Sequence, residues 1–265
     1  MRTNSLLTTL REGGVAVASF LTVPDLFVAE VMGAAGMDAL VVDTEHSAMS
    51  ISQLHGVLAA LYPSPSTLLV RVPANDDTAI KQVLDLGAEG VLVPDVRTGA
   101  DGEAAVRSSR YPPEGARGFG PRRASRLHGD RVDYLRRAND EIAVIAMLES
   151  AEAVENAEAI VKVPGLSGVF IGMGDLAVSL GHLHDMGHPD VDAAAVRIAR
   201  AATGQGLPFG VFTATEAAAG RWIERGAQLV TLGSDLQYID AGIAQARASR
   251  QKLAGTAPGR PTTDR

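Results

Sequence analysis

Two acidic residues, Glu149 and Asp175, stand at or just after the end of short apolar runs typical of buried β-strands. If these runs form neighbouring parallel strands, both carboxylates lie at the same edge of the sheet, where they repel each other. A divalent cation relieves that repulsion, and two oxygen ligands leave most positions around Mg²⁺, Mn²⁺ or Co²⁺ to water and substrate. The pair is therefore a candidate metal site, with solvated acids or salt bridges to arginine as the alternative.

Arg71 ends a third apolar run, TLLVR, and is followed by Val72 and Pro73. A guanidinium in this setting needs an anion, and its planar pair of donors matches a carboxylate. We expect Arg71 to bind a substrate carboxylate. The alternative is an internal ion pair with an acidic residue at another strand end.

His46 follows the run DALVVD and has Asp43 and Glu45 as near neighbours in the sequence. These two acids could fix the tautomer of the imidazole or raise its pKa, which favours a general acid or base at this position. A surface ion pair is the alternative. Asp95 ends a further apolar run and adds to the polar residues expected at this edge.

Residues 172–177, GMGDLA, match the G-x-G-x-x-(G/A) dinucleotide-binding fingerprint and follow an apolar run. The match is weak, because Asp175 would place a negative charge beside a pyrophosphate. We expect instead that Gly172 and Gly174 let backbone N–H groups approach a small carboxylate at the start of the next helix.

Two long connections carry other ligand-type residues, and we expect both to follow strands and to lie at the catalytic face. Residues 181–190 contain His182, His184 and His188, whose types suit a metal but whose spacing is unspecific, so we expect solvated loop histidines. Residues 111–140 contain arginines that could hold an anionic substrate or pair between subunits. These are Arg117, Arg122, Arg123 and Arg126.

The inventory of lysine and cysteine excludes several chemistries. The only lysines are Lys81, Lys162 and Lys252; we expect the first two in helices and the third near the C-terminus, so none is placed for a Schiff base. The chain has no cysteine, which excludes thiolate nucleophiles and Cys-ligated metal, and fits a reducing compartment.

Charge and hydropathy exclude other classes of function. The formal net charge of −7 disfavours nucleic-acid binding, which needs a basic face. No apolar stretch is long enough for a transmembrane helix, and charged residues interrupt the N-terminus before a signal-like core develops. We therefore expect a cytoplasmic protein without a membrane or nucleic-acid partner.

Eight short apolar runs alternate with longer stretches that have helical spacing, which predicts a single-domain (β/α)8 barrel. Ser150 and the pair Thr213 and Glu216 suggest helix N-termini, and Gly87 and Gly226 suggest helix C-termini. We expect the barrel to occupy residues 1–253 and residues 254–265 to form a disordered tail. The predicted strands are 15–20, 38–43, 67–72, 90–95, 142–149, 166–172, 208–212 and 228–233.

Taken in order, these motifs resemble the HpcH/HpaI family of metal-dependent 2-oxo-acid aldolases, also called class II pyruvate aldolases. The resemblance runs almost from end to end of the chain, and a set of ordered motifs is far more specific than any one of them. It rests on residues 29–46, 68–73, 81–96, 110–120, 147–150, 170–181 and 232–236.

The resemblance implies a role for each candidate residue. It assigns the metal to Glu149 and Asp175, and the pyruvyl carboxylate and oxo group to Arg71 and the backbone of Gly174 and Asp175. It also implies that His46 and Asp85 form an acid/base dyad. Members of the family are commonly hexamers built as trimers of dimers, with the last helix packed on a neighbour.

Three positions depart from the family pattern. Met147 stands where the family usually has Gln, Met173 stands where it has Pro, and sugar-acid aldolases often have Trp near Phe20. We expect Phe20 and Met147 to contact the substrate. Loss of the Gln amide would remove a polar contact near pyruvate, so the preferred substrate and reaction direction stay open.

The leading hypothesis is reversible cleavage of a 4-hydroxy-2-oxo acid to pyruvate and an aldehyde through a metal-bound enolate. One alternative keeps the enolate but decarboxylates oxaloacetate, or adds the enolate to another acceptor in specialised metabolism. A second alternative is an NAD-dependent oxidoreductase that uses residues 172–177, and a third is a barrel that binds without catalysis.

Overall fold

Eight parallel β-strands close into a barrel in which each strand pairs with the next along the chain and β8 pairs with β1. The computed structural model describes residues 1–183 and 185–255. The strands are β1 (Ala16–Leu21), β2 (Ala39–Asp43), β3 (Thr67–Arg71), β4 (Gly90–Val93), β5 (Ala143–Leu148), β6 (Gly168–Ile171), β7 (Phe209–Val211) and β8 (Leu229–Ser234).

At least one helix follows every strand, and these helices surround the barrel except for α13, which is exposed from residue 236 to residue 254. The helices are α1 (Ser5–Arg11), α2 (Leu26–Gly33), α3 (Ile51–Leu61), α4 (Asp77–Asp85), α5 (Gly99–Ser109), α6 (Arg122–Leu127), α7 (Arg131–Glu141), α8 (Ala151–Glu155), α9 (Ala157–Ile160), α10 (Met173–Ser179), α11 (Pro189–Gln205), α12 (Glu216–Glu224) and α13 (Asp235–Gly255). The expected single-domain (β/α)8 barrel is confirmed. Each predicted strand lies within two residues of the observed one.

The strands are apolar along nearly their whole length because they are buried on both faces. One core cluster fills the inside of the barrel and includes Leu69, Leu92 and Phe170. The other lies between the strands and the helices and includes Val70 and Val91. Alternate residues of a strand therefore enter different cores, so the strand ends are where polar side chains can meet.

Helix ends follow the local sequence signals with one exception. Ser150 accepts a hydrogen bond from the backbone of Ala153 at the start of α8, and Gly87 and Gly226 have φ of 97° and 95° after α4 and α12. The prediction that Thr213 begins α12 was wrong. Thr215 is the N-terminal cap, whereas Thr213 bonds to Thr231 of β8 and fastens β7 to it.

The expectation that residues 111–140 follow a strand and lie at the catalytic face was also wrong. This segment follows helix α5 and leads into β5, so it lies at the N-terminal ends of the strands. The apolar spacing of α6 and α7 did not reveal which end of the barrel they close. Arg117 consequently lies far from the strand ends that carry the candidate site.

Helix α13 continues through Gly255, two residues beyond the predicted end of the barrel. The rest of the predicted tail, residues 256–265, lies outside the described residues.

Candidate active site

A cleft of about 450 Å³ opens at the C-terminal ends of the strands, where active sites of such barrels lie. It is lined by Phe20, Thr22, Asp43, His46, Arg71, Met147, Phe170, Gly172, Met173, Gly174, Asp175, Phe212, Ser234, Leu236 and Gln237. The structure thus brings together most of the residues that the sequence singled out.

Arg71 and Asp43 form a two-pronged ion pair across the ends of β3 and β2, where they are register partners. Nε donates to Oδ1 of Asp43 at 2.8 Å and Nη2 donates to Oδ2 at 2.7 Å. Nη1 lies 3.2 Å from Oε2 of Glu45. Burial lowers the pKa of Arg71, but the hydrogen bond and charge of Asp43 outweigh that effect and raise it. One fork of the guanidinium is therefore committed to the protein, and the Nη1 side faces Glu45.

Asp43 also shapes the loop that carries His46. Its Oδ1 accepts the backbone N–H of Glu45 at 3.0 Å and that of His46 at 3.4 Å. Its carbonyl oxygen accepts the hydroxyl of Ser47. These contacts turn the chain just beyond β2 and place the exposed imidazole at the rim of the cleft, with Nε2 3.7 Å from Glu45 Oε2. Burial raises the pKa of Glu45, and the charges of Arg71 and His46 oppose that rise.

Glu149 directly follows β5 and is 7% exposed. Its Oε1 accepts the backbone N–H of Asp95 at 2.8 Å, whereas its buried Oε2 has no hydrogen-bond partner. Burial raises the pKa of Glu149 to about 7; the hydrogen bond from Asp95 opposes this rise, and the negative charges of Asp175 and Glu45 add to it. A buried carboxylate oxygen without a partner, close to a second carboxylate, is a donor set that suits a divalent cation.

Gly172 is required by the position of Glu149. A Cβ atom on Gly172 would lie 2.3 Å from Glu149 Oε2 and 2.7 Å from its Cβ. The glycine therefore makes room for a carboxylate of the protein, not for a pyrophosphate. Gly174 and Asp175 follow in the first turn of α10, where both are exposed at the cleft.

Part of the cleft lining is apolar and contacts Arg71. Phe20 and Phe212 meet edge to face with ring centroids 5.6 Å apart, and Phe20 lies 6.4 Å from Phe170. Met147 is buried at the floor, and the guanidinium carbon of Arg71 lies 5.3 Å from the centroid of the Phe20 ring. The substrate-contact positions predicted at Phe20 and Met147 thus both line the cleft.

Several lining residues were not predicted from the sequence, because the predicted polar residues all came from the ends of strands 2 to 6. Thr22, Phe212 and Ser234 follow or end β1, β7 and β8, so the same strand-end rule would have found them. Asp235 holds the chain after β1 in place, because its carboxylate accepts the backbone N–H and hydroxyl of Thr22 and the backbone N–H of Val23.

The structure does not bring Asp85 to His46 within one chain. Asp85 ends α4, at the N-terminal end of the barrel, and its Oδ1 accepts a hydrogen bond from Arg117 at 2.7 Å. The guanidinium of Arg117 is fully buried and lies 4.6 Å from the centroid of the Tyr111 ring. Within one chain, His46 and Asp85 therefore do not meet.

The other candidates lie outside the cleft. Lys81 is in α4, Lys252 is in α13 and Lys162 is in a turn after α9, so no lysine lines the cleft among the described residues. His182 and His188 stack on each other beyond α10, and His184 lies outside the described residues. Arg122, Arg123 and Arg126 all lie on α6. Arg123 donates to the carbonyl oxygen of Leu86, next to Asp85.

The family model described as HpcH/HpaI aldolase/citrate lyase matches residues 18–241. The chain belongs to this family. A curated relative from Escherichia coli O139:H28, named 5-keto-4-deoxy-D-glucarate aldolase, is 41% identical over 227 residues, which cover 86% of each chain. A family structure from Burkholderia cenocepacia is 37% identical, with a TM-score of 0.86 over 96% of this chain and 99% of the other. The structure of citrate synthase SbnG is 30% identical, with the same TM-score over 96% and 100%.

Membership of the HpcH/HpaI family confirms the expected class of enzyme, a carbon–carbon lyase of the aldolase type. Residues 172–177 do not form a dinucleotide-binding turn, since the space at Gly172 is filled by Glu149. Within the described residues, no helix is long and apolar enough to cross a membrane.

Proposed function

We propose that this enzyme reversibly cleaves a 4-hydroxy-2-oxo acid to pyruvate and an aldehyde, with Glu149 and Asp175 as ligands of a divalent cation. The observation that carries the proposal is the buried Oε2 of Glu149, which has no partner and lies at the strand ends beside the cleft. The named aldolase relative supports the reaction class.

The residues present suit such a cation. Glu149 supplies a carboxylate whose proton a cation can replace, and Asp175 adds a second, exposed carboxylate from α10. When bound, Mg²⁺, Mn²⁺ or Co²⁺ would polarise the 2-oxo group and stabilise the negative charge that develops on its oxygen. No lysine lines the described part of the cleft to do this work through a Schiff base.

Arg71 holds the carboxylate of the 2-oxo acid. Asp43 locks the plane of the guanidinium through two hydrogen bonds, which leaves the Nη1 side for substrate. Oε2 of Glu45 lies 3.2 Å from Nη1 on that side. The substrate carboxylate, which belongs to a stronger acid, would displace it. The backbone at Gly174 and Asp175 approaches the same end of the substrate.

His46 takes the proton of the 4-hydroxyl group as the carbon–carbon bond breaks. Its imidazole is at the rim, beyond Arg71, so it can reach the aldehyde half while Arg71 holds the pyruvyl half. The electrons of the broken bond pass to the pyruvyl half, and protonation at its methyl carbon completes the reaction.

If Asp85 serves His46, it does so in another copy of the chain. The two residues lie at opposite ends of one barrel, so the dyad implied by the family resemblance requires contact between subunits. Helix α13 supports association, because its residues 236–254 are all exposed in the isolated chain and include Leu236, Ile239 and Ile243. We propose a hexamer, as the resemblance implies.

Co-expression tests the shared dyad. His46→Ala and Asp85→Ala are each expected to lose cleavage activity, whereas mixed oligomers recover it in about a quarter of sites, those that combine an intact His46 with an intact Asp85 of a neighbour. Native mass spectrometry verifies the mixing. Mixed oligomers with no more activity than the separate variants would exclude the shared dyad.

Cleavage of 4-hydroxy-2-oxo acids tests the function itself. Chelation should abolish pyruvate release, and Mg²⁺, Mn²⁺ or Co²⁺ should restore it. A panel with charged, polar and apolar aldehyde halves identifies the substrate class. Full turnover after chelation, or no cleavage of any panel member with metal present, would contradict the proposal.

A second candidate reaction forms or alters the same enolate in a different way. The likeness to citrate synthase SbnG favours carbon–carbon bond formation, and Met147 lines the cleft where the family resemblance implies a Gln. Oxaloacetate consumption that exceeds both aldol cleavage and exchange of the pyruvate methyl protons would favour this candidate.

A further inference from the structure

A second cavity, of about 580 Å³, lies at the end of the barrel opposite the catalytic cleft. It is lined in part by residues 165–167, 206–208 and 228, which lead directly into β6, β7 and β8 and so mark the N-terminal ends of these strands. Arg11 and Arg110 also line it, and no acidic residue does so within the described chain. The volume is typical of cavities that bind small organic molecules.

Arg110 is the more deeply buried of the two arginines, with 6% of its surface exposed. Its Nη1 donates to the carbonyl oxygen of Ile142 at 2.6 Å, and its Nη2 donates to that of Gly165 at 3.2 Å. These bonds use two of the five N–H donors of the guanidinium. A neutral amide could make the same two bonds, so they do not explain why a positive charge is buried here.

The positive charges at this cavity have no counter-ion among the described residues. Arg11 ends α1, and its Nη2 donates to the backbone carbonyl oxygen of Asp140 at 3.0 Å. Every arginine that pairs with a carboxylate in the described chain is another one. Burial lowers the pKa of Arg110 to about 10; the charges of Glu114 and Asp140 oppose this effect, and the charge of Arg11 adds to it. An anion between the two guanidinium groups would relieve both the burial cost and the repulsion.

Other lining groups suit an organic anion. The hydroxyl oxygen of Ser167 accepts the backbone N–H of Val144 at 3.0 Å, which leaves the hydroxyl hydrogen to donate to a ligand. Leu10 and Leu207 contribute apolar surface. A Cβ on Gly206 would meet no atom within 4 Å, so the space beside it is open.

We propose that this cavity binds a small organic dianion, whose charged end lies between Arg11 and Arg110 and whose body contacts Leu10 and Leu207. Guanidinium groups match the oxygen atoms of phosphates and carboxylates, and two positive charges favour a doubly charged ligand. The ligand is either a phosphate monoester or a dicarboxylate, which share this chemistry. The cavity is remote from the candidate metal ligands, so its ligand is bound there without being converted.

Phenyl phosphate is a suitable probe, because it joins a dianion to an apolar ring. Calorimetry should show saturable binding to the enzyme that is at least about ten-fold tighter than the binding of benzyl alcohol, which lacks the charge. Phthalate replaces the phosphate with two carboxylates. Tighter binding of phenyl phosphate would identify a phosphate ester as the ligand class, and tighter binding of phthalate would identify a dicarboxylate. Binding of neither probe above the level of benzyl alcohol would overturn the proposal.

Substitution of the two arginines locates the binding, because both lie at the opposite end of the barrel from the catalytic cleft. Arg11→Gln removes one charge but keeps a donor for the carbonyl of Asp140, and it should weaken the binding of the tighter probe at least about ten-fold. Arg110→Lys keeps the charge but loses the planar pair of donors, and it should also weaken binding. If Arg110→Lys does not fold, Arg11→Gln alone decides the question.

Arg221→Gln is the matched control, since Arg221 is exposed on α12 and does not line the cavity. This variant should bind the probe as the wild type does. Equal affinities in Arg11→Gln and Arg221→Gln would place the bound anion elsewhere and exclude the proposed site.

Discussion

The backbone N–H of Asp95 donates to Oε1 of Glu149 at 2.8 Å from a left-handed conformation with φ of 54°. Among the described residues, Asp95 is the one non-glycine residue with positive φ. The unusual backbone aims an N–H at the buried carboxylate, and so fixes which oxygen of Glu149 stays free. This contact links the end of β4 to the end of β5 at the candidate metal site.

Substitution of Asp95 tests whether its backbone conformation, and not its side chain, serves Glu149. Asp95→Gly should keep the hydrogen bond and activity, since glycine adopts positive φ without steric cost. Asp95→Ala should have a free energy of unfolding lower by about 1 kcal/mol than Asp95→Gly. Denaturant unfolding and kcat/KM measure the two effects. An alanine variant as stable as the glycine variant would contradict this explanation.

Metal affinity should fall as the pH drops below about 7, because a proton and the cation compete for Glu149. In the metal-free enzyme the raised pKa has a related effect on stability. Between the ordinary glutamate pKa and about 7, the folded protein holds a proton that the unfolded chain has lost, so the free energy of unfolding decreases as the pH rises through this range.

Calorimetry at two pH values and pH-dependent unfolding measure these trends, with Glu149→Gln as the control. The glutamine variant should lack the decrease in stability and bind the catalytic cation weakly at every pH. If the unfolding free energies of the metal-free wild type and the metal-free Glu149→Gln variant depend on pH in the same way, the Glu149 carboxyl does not titrate as described.

Arg71→Lys should lower kcat/KM, although it keeps the positive charge. We expect a loss of roughly 2–3 kcal/mol in transition-state stabilisation. A single ammonium cannot both replace the two hydrogen bonds to Asp43 and bind a substrate carboxylate. Arg225→Lys is the matched control, since Arg225 also makes two contacts with a carboxylate, that of Asp192, but is exposed and remote from the cleft. Equal and small losses of kcat/KM in both variants would show that Arg71 does not bind the substrate.

His46→Ala should separate cleavage from enolisation. We expect cleavage to fall by about 10² to 10⁴, the usual range for general acid–base catalysis, while exchange of the pyruvate methyl protons is retained to a greater extent. Asp85→Asn should follow the same pattern more mildly if it orients the imidazole of a neighbour. The ratio of the two rates is the readout, and equal losses would move His46 to enolate formation or to support of the metal site.

The strands and most of the cleft could be predicted from the sequence because the parallel barrel imposes one rule on every strand. Continuous apolar runs mark the strands, and the polar residues that end them, such as Asp43, Arg71 and Glu149, meet at one face. Thr22, Phe212 and Ser234 obey the same rule and were overlooked.

Other features depend on tertiary contacts that periodicity does not encode. The segment 111–140 gave no local sign of the barrel end to which it belongs. The remoteness of Asp85 from His46, by contrast, follows from the helix end predicted at Gly87, just before β4, and was overlooked. The internal ion pair of Arg71 with Asp43 was an open alternative, and it depends on the register of β2 and β3. Positive φ at Asp95 likewise accompanies a tertiary contact, the hydrogen bond to Glu149.

Deuterium exchange of the pyruvate methyl group is the most direct test of the claim that Glu149 and Asp175 hold a cation that stabilises the enolate. It needs no knowledge of the aldehyde and reports enolisation alone. We expect exchange in D₂O that requires added Mg²⁺, Mn²⁺ or Co²⁺, stops on chelation, and is absent from folded Glu149→Gln and Asp175→Asn proteins. Exchange that continues after chelation, or at wild-type rates in either variant, would contradict it.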